Sequence, residues 1–126
     1  MNTKKDQEFW DEMAGLTTSR QIIIDRPKGQ AHPQYPDLIY PFDYGYLEDT
    51  IAADGDGIDV WIGSLFGRQV TGIICTVDLD QQDAEIKLLL DCTPQEAQTA
   101  LIAHNTGSQA GMLIERSNSG GTALYD

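Results

Sequence analysis

The chain has 126 residues, a length that suits one domain with a real core and is too short for two. Its 20 Asp and Glu residues against 8 Lys and Arg residues give a formal net charge of -12. This balance argues against nucleic acid or an anionic membrane as a partner, because either needs a basic surface. No apolar run is long enough to span a bilayer. The start, MNTKKDQEFW, lacks the apolar core of a secretory signal, so we expect a cytoplasmic location.

Residues 6–16 carry the spacing of an amphipathic helix. Three apolar side chains lie three to four positions apart: Phe9, Met13 and Leu16. We therefore treat residues 1–20 as an N-terminal helical extension of a single domain that covers residues 1–126. The polar, glycine-containing segment SNSGGTALYD at residues 117–126 predicts a loose tail.

Five runs of β-forming residues predict a mainly β domain. The runs are residues 21–24, 58–63, 69–79, 84–90 and 111–115. The third and fourth runs are joined by the polar turn DQQD, so we expect a hairpin. Four prolines between Pro27 and Pro41 break any regular element there and predict an extended loop. The pattern is typical of a small, partly closed five-stranded barrel with flanking helices.

Thr93 begins the clearest helix in the chain. Glu96 stands three residues later, which is the spacing of a capping box, and Pro94 suits the first helical position. Four side chains fall on one face of this helix: Ala97, Ala100, Leu101 and His104. We therefore expect His104 to be a structural histidine rather than a ligand.

The segment DGDGID at residues 54–59 places three acids beside an apolar strand: Asp54, Asp56 and Asp59. Hard divalent cations take carboxylate oxygens as ligands, and the glycines allow tight turns that can bring the three together. A calcium loop of the EF-hand type is excluded, because its sixth position, Asp59, should be Gly and its twelfth, Leu65, should be Glu. Plain surface-turn chemistry remains an alternative. A second acidic cluster, DLDQQDAEIK at residues 78–87, favours a cation site.

These acids stand in a pattern that resembles the soluble family I inorganic pyrophosphatases. The segment YPFDYGYLEDTIAADGDGID at residues 40–59 matches the family's Tyr-Pro-x-x-Tyr-Gly element and its Asp-x-Asp-Pro-φ-Asp signature, with Gly57 in place of the proline. IIIDRP resembles the family's acid-x-Pro strand end. DQQDAEIKLL resembles its Asp-x4-Asp-x-Lys pattern, with Glu85 replacing the second Asp. The resemblance covers residues 22–90.

The resemblance implies an OB-type barrel and Mg²⁺-dependent hydrolysis of inorganic pyrophosphate, with Mn²⁺ as an alternative metal. It assigns metal-ligating roles to five acids: Asp54, Asp59, Asp80, Glu85 and Asp25. Asp56 would be the base that takes a proton from the attacking water. Substrate contacts are assigned to three side chains: Tyr44, Lys87 and Tyr40. The acids would then hold cations, which in turn hold the polyanionic substrate.

Three cations that grip the phosphates in the family have no counterpart here. The family's Lys-Tyr-Glu element reads QYP at residues 34–36, a hairpin that carries an Arg is absent, and no Tyr-Lys pair follows the last helix. We predict Arg26 and Lys28 as substitutes, with Arg116 as the next candidate. His32, in the same loop as Lys28, is a further candidate substitute, although we expect it to be structural rather than a ligand.

Three functions stay open at this point. The first is pyrophosphate hydrolysis, and the second is hydrolysis of another small phosphoanhydride or phosphoester on the same metal platform. The third is a degenerate, non-catalytic binding module. Retention of the self-repelling acidic cluster favours the two enzymes, whereas loss of the cations favours the second and third functions. The sequence leaves the formation of a homo-oligomer open.

Overall fold

Six strands and two helices form the computed structural model, which describes residues 3–52 and 55–116. In chain order they are α1 Lys4–Thr17, β1 Ile22–Arg26, β2 Asp43–Leu47, β3 Asp59–Ile62, β4 Val70–Asp78, β5 Asp83–Leu90, α2 Pro94–Ala103 and β6 Gln109–Glu115. The prediction of a mainly β fold with flanking helices is confirmed. The predicted loose tail at residues 117–126 lies outside the described residues, as does Asp54. In the part of the chain that is described, neither helix is long and apolar enough to cross a membrane.

The six strands form one sheet in the order β1-β2-β3-β5-β4-β6. Neighbouring strands are antiparallel except for β3 and β5, which run parallel. Within the described residues the order leaves β1 and β6 as edges, and the sheet has one strand more than the predicted barrel. The additional strand is β2, with the sequence DYGYL. The predicted hairpin of β4 and β5 is confirmed, and its strands close at the pair Asp78 and Asp83.

A close backbone approach makes Gly45 a strand residue. Gly45 lies opposite Ile24 of β1, and a Cβ atom on Gly45 would overlap the carbonyl oxygen of Ile23. Leu47, two positions further along β2, is completely buried. The glycine therefore permits tight pairing of β1 and β2 rather than a turn.

The sheet separates two clusters of buried apolar side chains. Val60 and Leu88 belong to the cluster that contains Trp10 of α1. Their neighbours Trp61 and Leu89 belong to the other cluster, which contains Ala97 and Ala100 of α2. This division follows from the alternation of side chains along a strand. Each helix therefore contributes side chains to a different cluster, on opposite faces of the sheet.

The helix α1 buries only part of the predicted face. Met13 packs against the core as predicted, but Phe9 remains 42% exposed. Trp10, which was not predicted to face the core, is 8% exposed and belongs to the same cluster. A tryptophan buries more apolar surface than a phenylalanine, so the larger ring of the two neighbours lies inside.

The capping box predicted for α2 is confirmed. The backbone N–H of Glu96 donates to Thr93 Oγ1 at 3.1 Å, and that of Thr93 donates to Glu96 Oε1 at 2.9 Å. The same carboxylate oxygen accepts the backbone N–H of Ser64 at 3.1 Å. Glu96 thus ties the start of α2 to the segment that follows β3. His104 caps the other end of the helix.

Candidate functional site

A cavity of about 300 Å³ is bounded by the loop after β1, by β2, β3 and β5, and by the loop after α2. Its volume is at the lower end for small-molecule sites. The charged side chains of its wall are Asp25, Arg26, Asp59, Asp78 and Lys87. The aromatic side chains of its wall are His32, Tyr35, Tyr40, Tyr44, Trp61 and His104. The wall of this cavity therefore combines charged and aromatic side chains.

The sheet brings six of the sequence-predicted site residues to this cavity. They are Asp25, Arg26, Tyr40, Tyr44, Asp59 and Lys87. Tyr44 of β2 lies opposite Arg26 of β1 on one side and Trp61 of β3 on the other. Because β1, β2, β3 and β5 are neighbours in the sheet, residues far apart in sequence converge on one wall.

Four predicted site residues do not line this cavity, and one of them, Glu85, is connected to it only by its ion pair with Lys87. Asp80 is exposed in the turn between β4 and β5, where its backbone N–H donates to Asp78 Oδ1 at 3.0 Å. Lys28 is exposed in the loop after β1, and its backbone N–H donates to Asp43 Oδ1 at 2.9 Å. Asp56 is exposed in the loop before β3. The predicted ligand Asp54 lies outside the described residues.

Asp78 is a cavity residue that the sequence analysis did not select. It is the last residue of β4, and its carboxylate accepts a hydrogen bond from the Ser108 hydroxyl at 2.7 Å. This hydrogen bond, followed by those from the N–H groups of Gln81 and Asp80, lowers the pKa of Asp78. In the sequence, the feature that could have identified Asp78 is its position at the start of the acidic turn between β4 and β5. Asp78 therefore adds a charged acceptor beside the loop after α2.

Lys87 forms ion pairs with two predicted metal ligands. Its Nζ lies 2.6 Å from Asp59 Oδ2 and 2.7 Å from Glu85 Oε1, and only 8% of its side chain is exposed. Burial by itself would lower the pKa of Lys87, but the charges and hydrogen bonds of the two carboxylates outweigh it and raise the pKa. Lys87 is therefore a charged ammonium at neutral pH and neutralises part of the acidic cluster.

Tyr44 is held as a protonated phenol. Burial, followed by the charge of Asp59 and a hydrogen bond to that carboxylate, raises the pKa of Tyr44 well above its ordinary value. The hydroxyl therefore keeps its proton and donates to Asp59. The phenol has one O–H, so a phosphate oxygen would have to replace Asp59 as its acceptor to give Tyr44 the role that the resemblance implies.

Arg26 presents its positive charge to the cavity. Its Nη1 donates to the Tyr40 hydroxyl at 3.2 Å, and its Cζ lies 5.8 Å from the centroid of the Tyr40 ring. Among residues 3–52 and 55–116, no carboxylate forms an ion pair with Arg26. The guanidinium is oriented by a tyrosine rather than neutralised by an acid, which suits an anion-binding group.

His104 is fixed by hydrogen bonds at both ring nitrogens. Trp61 Nε1 donates to His104 Nε2 at 2.8 Å, and His104 Nδ1 lies 2.7 Å from Gln109 Oε1. Because Nε2 accepts, the proton of the neutral ring is on Nδ1, which donates to Gln109. Burial lowers the pKa of His104 to about 4. Both ring nitrogens are therefore occupied by side-chain partners, which agrees with the expectation of a structural histidine.

Acidification is expected to destabilise the fold through His104. A lowered pKa contributes stability above the unfolded value of 6.5 that is lost as the pH falls toward about 4. The full loss from this group is roughly 3 kcal/mol of unfolding free energy. Urea unfolding at the two ends of this range measures it. In His104→Gln, which cannot titrate, the pH dependence should flatten, and an unchanged dependence would contradict the assignment.

The carboxylates suit a hard divalent cation by their chemistry, but the described residues do not assemble a complete site. Asp25 and Asp59 both line the cavity, and Asp and Glu oxygens are preferred ligands of such cations. Across the described ranges, no three His, Cys, Asp or Glu side chains are grouped so that they could hold a metal ion. A complete site needs a further ligand, or a shift of Lys87 away from Asp59 and Glu85.

The replacement of the signature proline by Gly57 has a local steric basis. A Cβ atom on Gly57 would lie 2.6 Å from Tyr46 Cδ2 and 2.9 Å from the carbonyl oxygen of Leu47. A larger residue would have to move the Tyr46 ring or the backbone of β2. The departure from the family pattern is therefore matched to the packing of this chain.

Comparison with known proteins relates the chain to one group of enzymes. No family model matches the chain. A stretch of 60 residues is 33% identical to the inorganic pyrophosphatases of Geobacillus stearothermophilus and Bacillus sp. (strain PS3). A stretch of the same length is 30% identical to the inorganic pyrophosphatase of Saccharolobus solfataricus. Over this stretch, the chain is similar to curated inorganic pyrophosphatases.

The fold agrees with solved pyrophosphatase structures. The inorganic pyrophosphatase from Helicobacter pylori matches with a TM-score of 0.54 and 14% identity, over 75% of this chain and 81% of that one. An inorganic phosphatase from Anaplasma phagocytophilum matches with a TM-score of 0.53 and 15% identity over the same shares. In sequence, the first match covers 41% of this chain and 36% of the curated relative. The chain thus shares the pyrophosphatase fold but matches only about a third of each of these curated sequences.

Proposed function

We propose that the chain hydrolyses inorganic pyrophosphate, or a similar small phosphoanhydride, in a reaction that depends on Mg²⁺, with Mn²⁺ as the alternative metal. One observation carries this proposal: a single cavity contains the acids Asp25 and Asp59, the cations Arg26 and Lys87, and the donor Tyr44. Phosphoryl transfer needs mainly positioning and charge neutralisation, which such a set of groups can provide. The relation to curated inorganic pyrophosphatases supports this choice of reaction.

In this proposal, the substrate phosphates bind on the cationic side of the cavity. Arg26 can present two N–H groups to phosphate oxygens, and Tyr40 holds it in place at 3.2 Å. Tyr44 donates its hydroxyl. Lys87 turns from the carboxylates to a phosphate when the substrate enters, because the substrate offers a stronger anionic partner. That movement removes the ammonium group from Asp59 and Glu85.

We propose that Asp54 and Asp59 hold the divalent cation, joined by Asp25 and by Glu85 once Lys87 has moved. A cation held there would neutralise phosphate charge and activate a water molecule. Asp80, which was assigned a ligand role from the resemblance, would have to reach this place from the exposed turn after β4. Asp56 accepts a proton from the water. The water oxygen then bonds to one phosphorus, the bridging oxygen leaves with the other, and two phosphates result.

The structure also favours a second candidate, a non-catalytic binding module. Lys87 already forms ion pairs with Asp59 and Glu85, so these two acids have a cationic partner without any metal. In addition, three cations of the family pattern have no counterpart in the sequence. A module of this kind would bind phosphate-containing ligands through Arg26 and release no phosphate from them.

Phosphate release from pyrophosphate distinguishes the two candidates. The full chain is incubated with pyrophosphate, with and without millimolar Mg²⁺, and free phosphate is measured over time. Thermal unfolding is recorded under the same conditions. The proposed enzyme should release phosphate only with the cation and should unfold at a higher temperature in its presence, because binding to the native state stabilises it. Binding of pyrophosphate with no phosphate release would replace the enzyme by the binding module.

Arg26→Ala is expected to lower kcat/KM for pyrophosphate by about tenfold, which corresponds to about 1.4 kcal/mol. The loss should leave stabilisation by Mg²⁺ unchanged, because Arg26 contacts Tyr40 and no acid among the described residues. The control is Arg68→Ala. Arg68 is exposed between β3 and β4, does not line the cavity and donates to the backbone carbonyl of Arg20.

The sequence analysis predicted both Lys28 and Arg26 as phosphate-binding substitutes, and the same kinetic assay tests each of them separately. Because Lys28 does not line the cavity, Lys28→Ala is expected to resemble Arg68→Ala. If Arg26→Ala also resembled Arg68→Ala in an active enzyme, the phosphate grip would lie elsewhere. Arg116, which lies 4.0 Å from Asp11 and outside the cavity wall, would be tested next.

A further inference from the structure

The cavity has more aromatic surface than free pyrophosphate can use. A continuous series of ring contacts leads from Trp61 in the core to Tyr35 at the surface. The centroids of Trp61 and Tyr44 are 4.6 Å apart, and those of Tyr44 and Tyr40 are 5.5 Å apart. His32 is parallel to Tyr40 within 7°, and its centroid lies 5.0 Å from that of Tyr35. Pyrophosphate consists only of phosphorus and oxygen and gains nothing from such surfaces.

The charges of the wall also fit a less highly charged ligand. Three acids face the cavity, Asp25, Asp59 and Asp78, against two cations, Arg26 and Lys87. Lys87 is shared between two carboxylates, which leaves Arg26 as the cation without an acidic partner among the described residues. A phosphoanhydride esterified with an organic group has one ionisable oxygen fewer than free pyrophosphate. Such a ligand needs less charge compensation from Arg26 and Lys87.

Tyr35 is placed to meet the organic part of such a ligand. It lines the cavity, yet 55% of its surface remains exposed. The loop that carries it is held by backbone hydrogen bonds: His32 donates to Leu38, and Leu38 donates to Tyr35, each at 2.9 Å. In the loop after α2, a Cβ atom on Gly107 would lie 4.0 Å from the Tyr35 hydroxyl. Tyr35 therefore stands at the mouth, on an ordered loop.

Tyr40 connects the anion-binding group to these outer rings. The Arg26 guanidinium lies 5.8 Å from the centroid of Tyr40, and the His32 ring lies parallel to Tyr40 at 6.1 Å. A phosphate at Arg26 is therefore next to the wall that continues through His32 to Tyr35. A ligand with a phosphate at one end and a planar ring at the other matches this order of groups.

We propose that the cavity takes phosphoanhydrides that carry an aromatic base, of the nucleoside diphosphate kind, with the phosphates at Arg26 and the base against Tyr35 and His32. This inference rests on the proposed hydrolase site and specifies its substrate class. Water adds to the terminal phosphorus, the bond between that phosphorus and the bridging oxygen breaks, and the bridging oxygen stays with the nucleoside phosphate. The products are a nucleoside monophosphate and inorganic phosphate, with release of a proton and no change of oxidation state.

Binding of ADP and of pyrophosphate to the full chain, measured by calorimetry in the presence of Mg²⁺, tests this substrate class. The chain should bind ADP more tightly than pyrophosphate. Tyr35→Ala should weaken ADP binding by about tenfold, since stacking of a base on an aromatic ring is worth that order. Binding of pyrophosphate should not change. Tyr35→Phe, which keeps the ring, should retain ADP binding. The control is Phe66→Ala, which removes an exposed ring outside the cavity.

The outcomes separate this inference from the proposed function. Equal loss of ADP and pyrophosphate binding in Tyr35→Ala would overturn the assignment of Tyr35 to the base. ADP binding no tighter than that of pyrophosphate, with no effect of Tyr35→Ala, would overturn the substrate class and leave pyrophosphate hydrolysis standing. Ring-dependent ADP binding without phosphate release from either compound would support the ligand class and overturn the hydrolase.

Discussion

Replacement of Lys87 by methionine is expected to lower the free energy of unfolding by about 3 to 5 kcal/mol, the cost of breaking a buried ion pair by removing one partner. Methionine preserves most of the side-chain volume, so the loss of stability would come from the missing charge rather than from a cavity. Asp59 and Glu85 would be left as two carboxylates without the ammonium that lies within 2.7 Å of both. The measurement is urea unfolding of the variant and the parent at neutral pH.

The pH dependence of this loss gives a second readout. In the parent, the raised pKa of Lys87 means that its contribution is present below the unfolded value of 10.5 and is lost as the pH rises beyond it. In Lys87→Met this contribution is absent, so the difference from the parent should shrink as the pH rises beyond 10.5. Lys5→Met is the matched control, because Lys5 pairs with Glu8 on the surface and its loss should be nearly neutral. Equal stability of Lys87→Met and Lys5→Met would show that the ion pairs contribute little.

Asp56→Asn is expected to lower kcat for pyrophosphate by about 10²- to 10⁴-fold, the usual contribution of a general base. Asparagine has nearly the same shape but does not accept the proton at neutral pH. Because the Asp56 side chain is exposed, the variant should keep the parent's unfolding temperature. Stabilisation by Mg²⁺ should largely survive, since the ligands proposed for the cation are other acids.

Asp37→Asn serves as the control for this experiment. Asp37 is an exposed acid in the loop after β1 and does not line the cavity, so its replacement should leave turnover unchanged. Near-normal turnover of Asp56→Asn would remove this residue from the mechanism. In that case Asp25 and Asp59, the acids that line the cavity together with Asp78, become the groups to examine as proton acceptors.

The parts of the fold that depend on local sequence could be predicted. The capping box of Thr93 and Glu96 is defined by two residues three apart, and the hairpin of β4 and β5 by a polar turn between two apolar runs. Strand β2 could not be found in the same way. Its glycine resembles a turn residue until the neighbouring strand is in place, because the carbonyl of Ile23 is what forbids a side chain at Gly45.

The candidate site shows the same limit in its chemistry. The resemblance selected Asp59, Glu85 and Lys87, and the structure brings the three together. The ion pairs among them depend on the pairing of β3 with β5. That pairing joins distant parts of the chain and cannot be read from a local sequence pattern. The sequence therefore predicted a lysine directed at a phosphate, whereas the structure shows it bound between two acids.

The parallel pairing of β3 with β5 also bears on the order in which the chain folds. The hairpin partners Asp78 and Asp83 are near neighbours in sequence, whereas Val60 must find Leu88 across the whole of β4. Closing the longer loop costs more chain entropy, so we expect the hairpin to form before β3 adds to it. The transition state for folding should accordingly be insensitive to Val60→Ala and sensitive to Ile74→Val, as stopped-flow kinetics can measure. Asp59 is carried by the later strand and Lys87 by the earlier one, so the ion pair at the cavity would be among the last contacts to form.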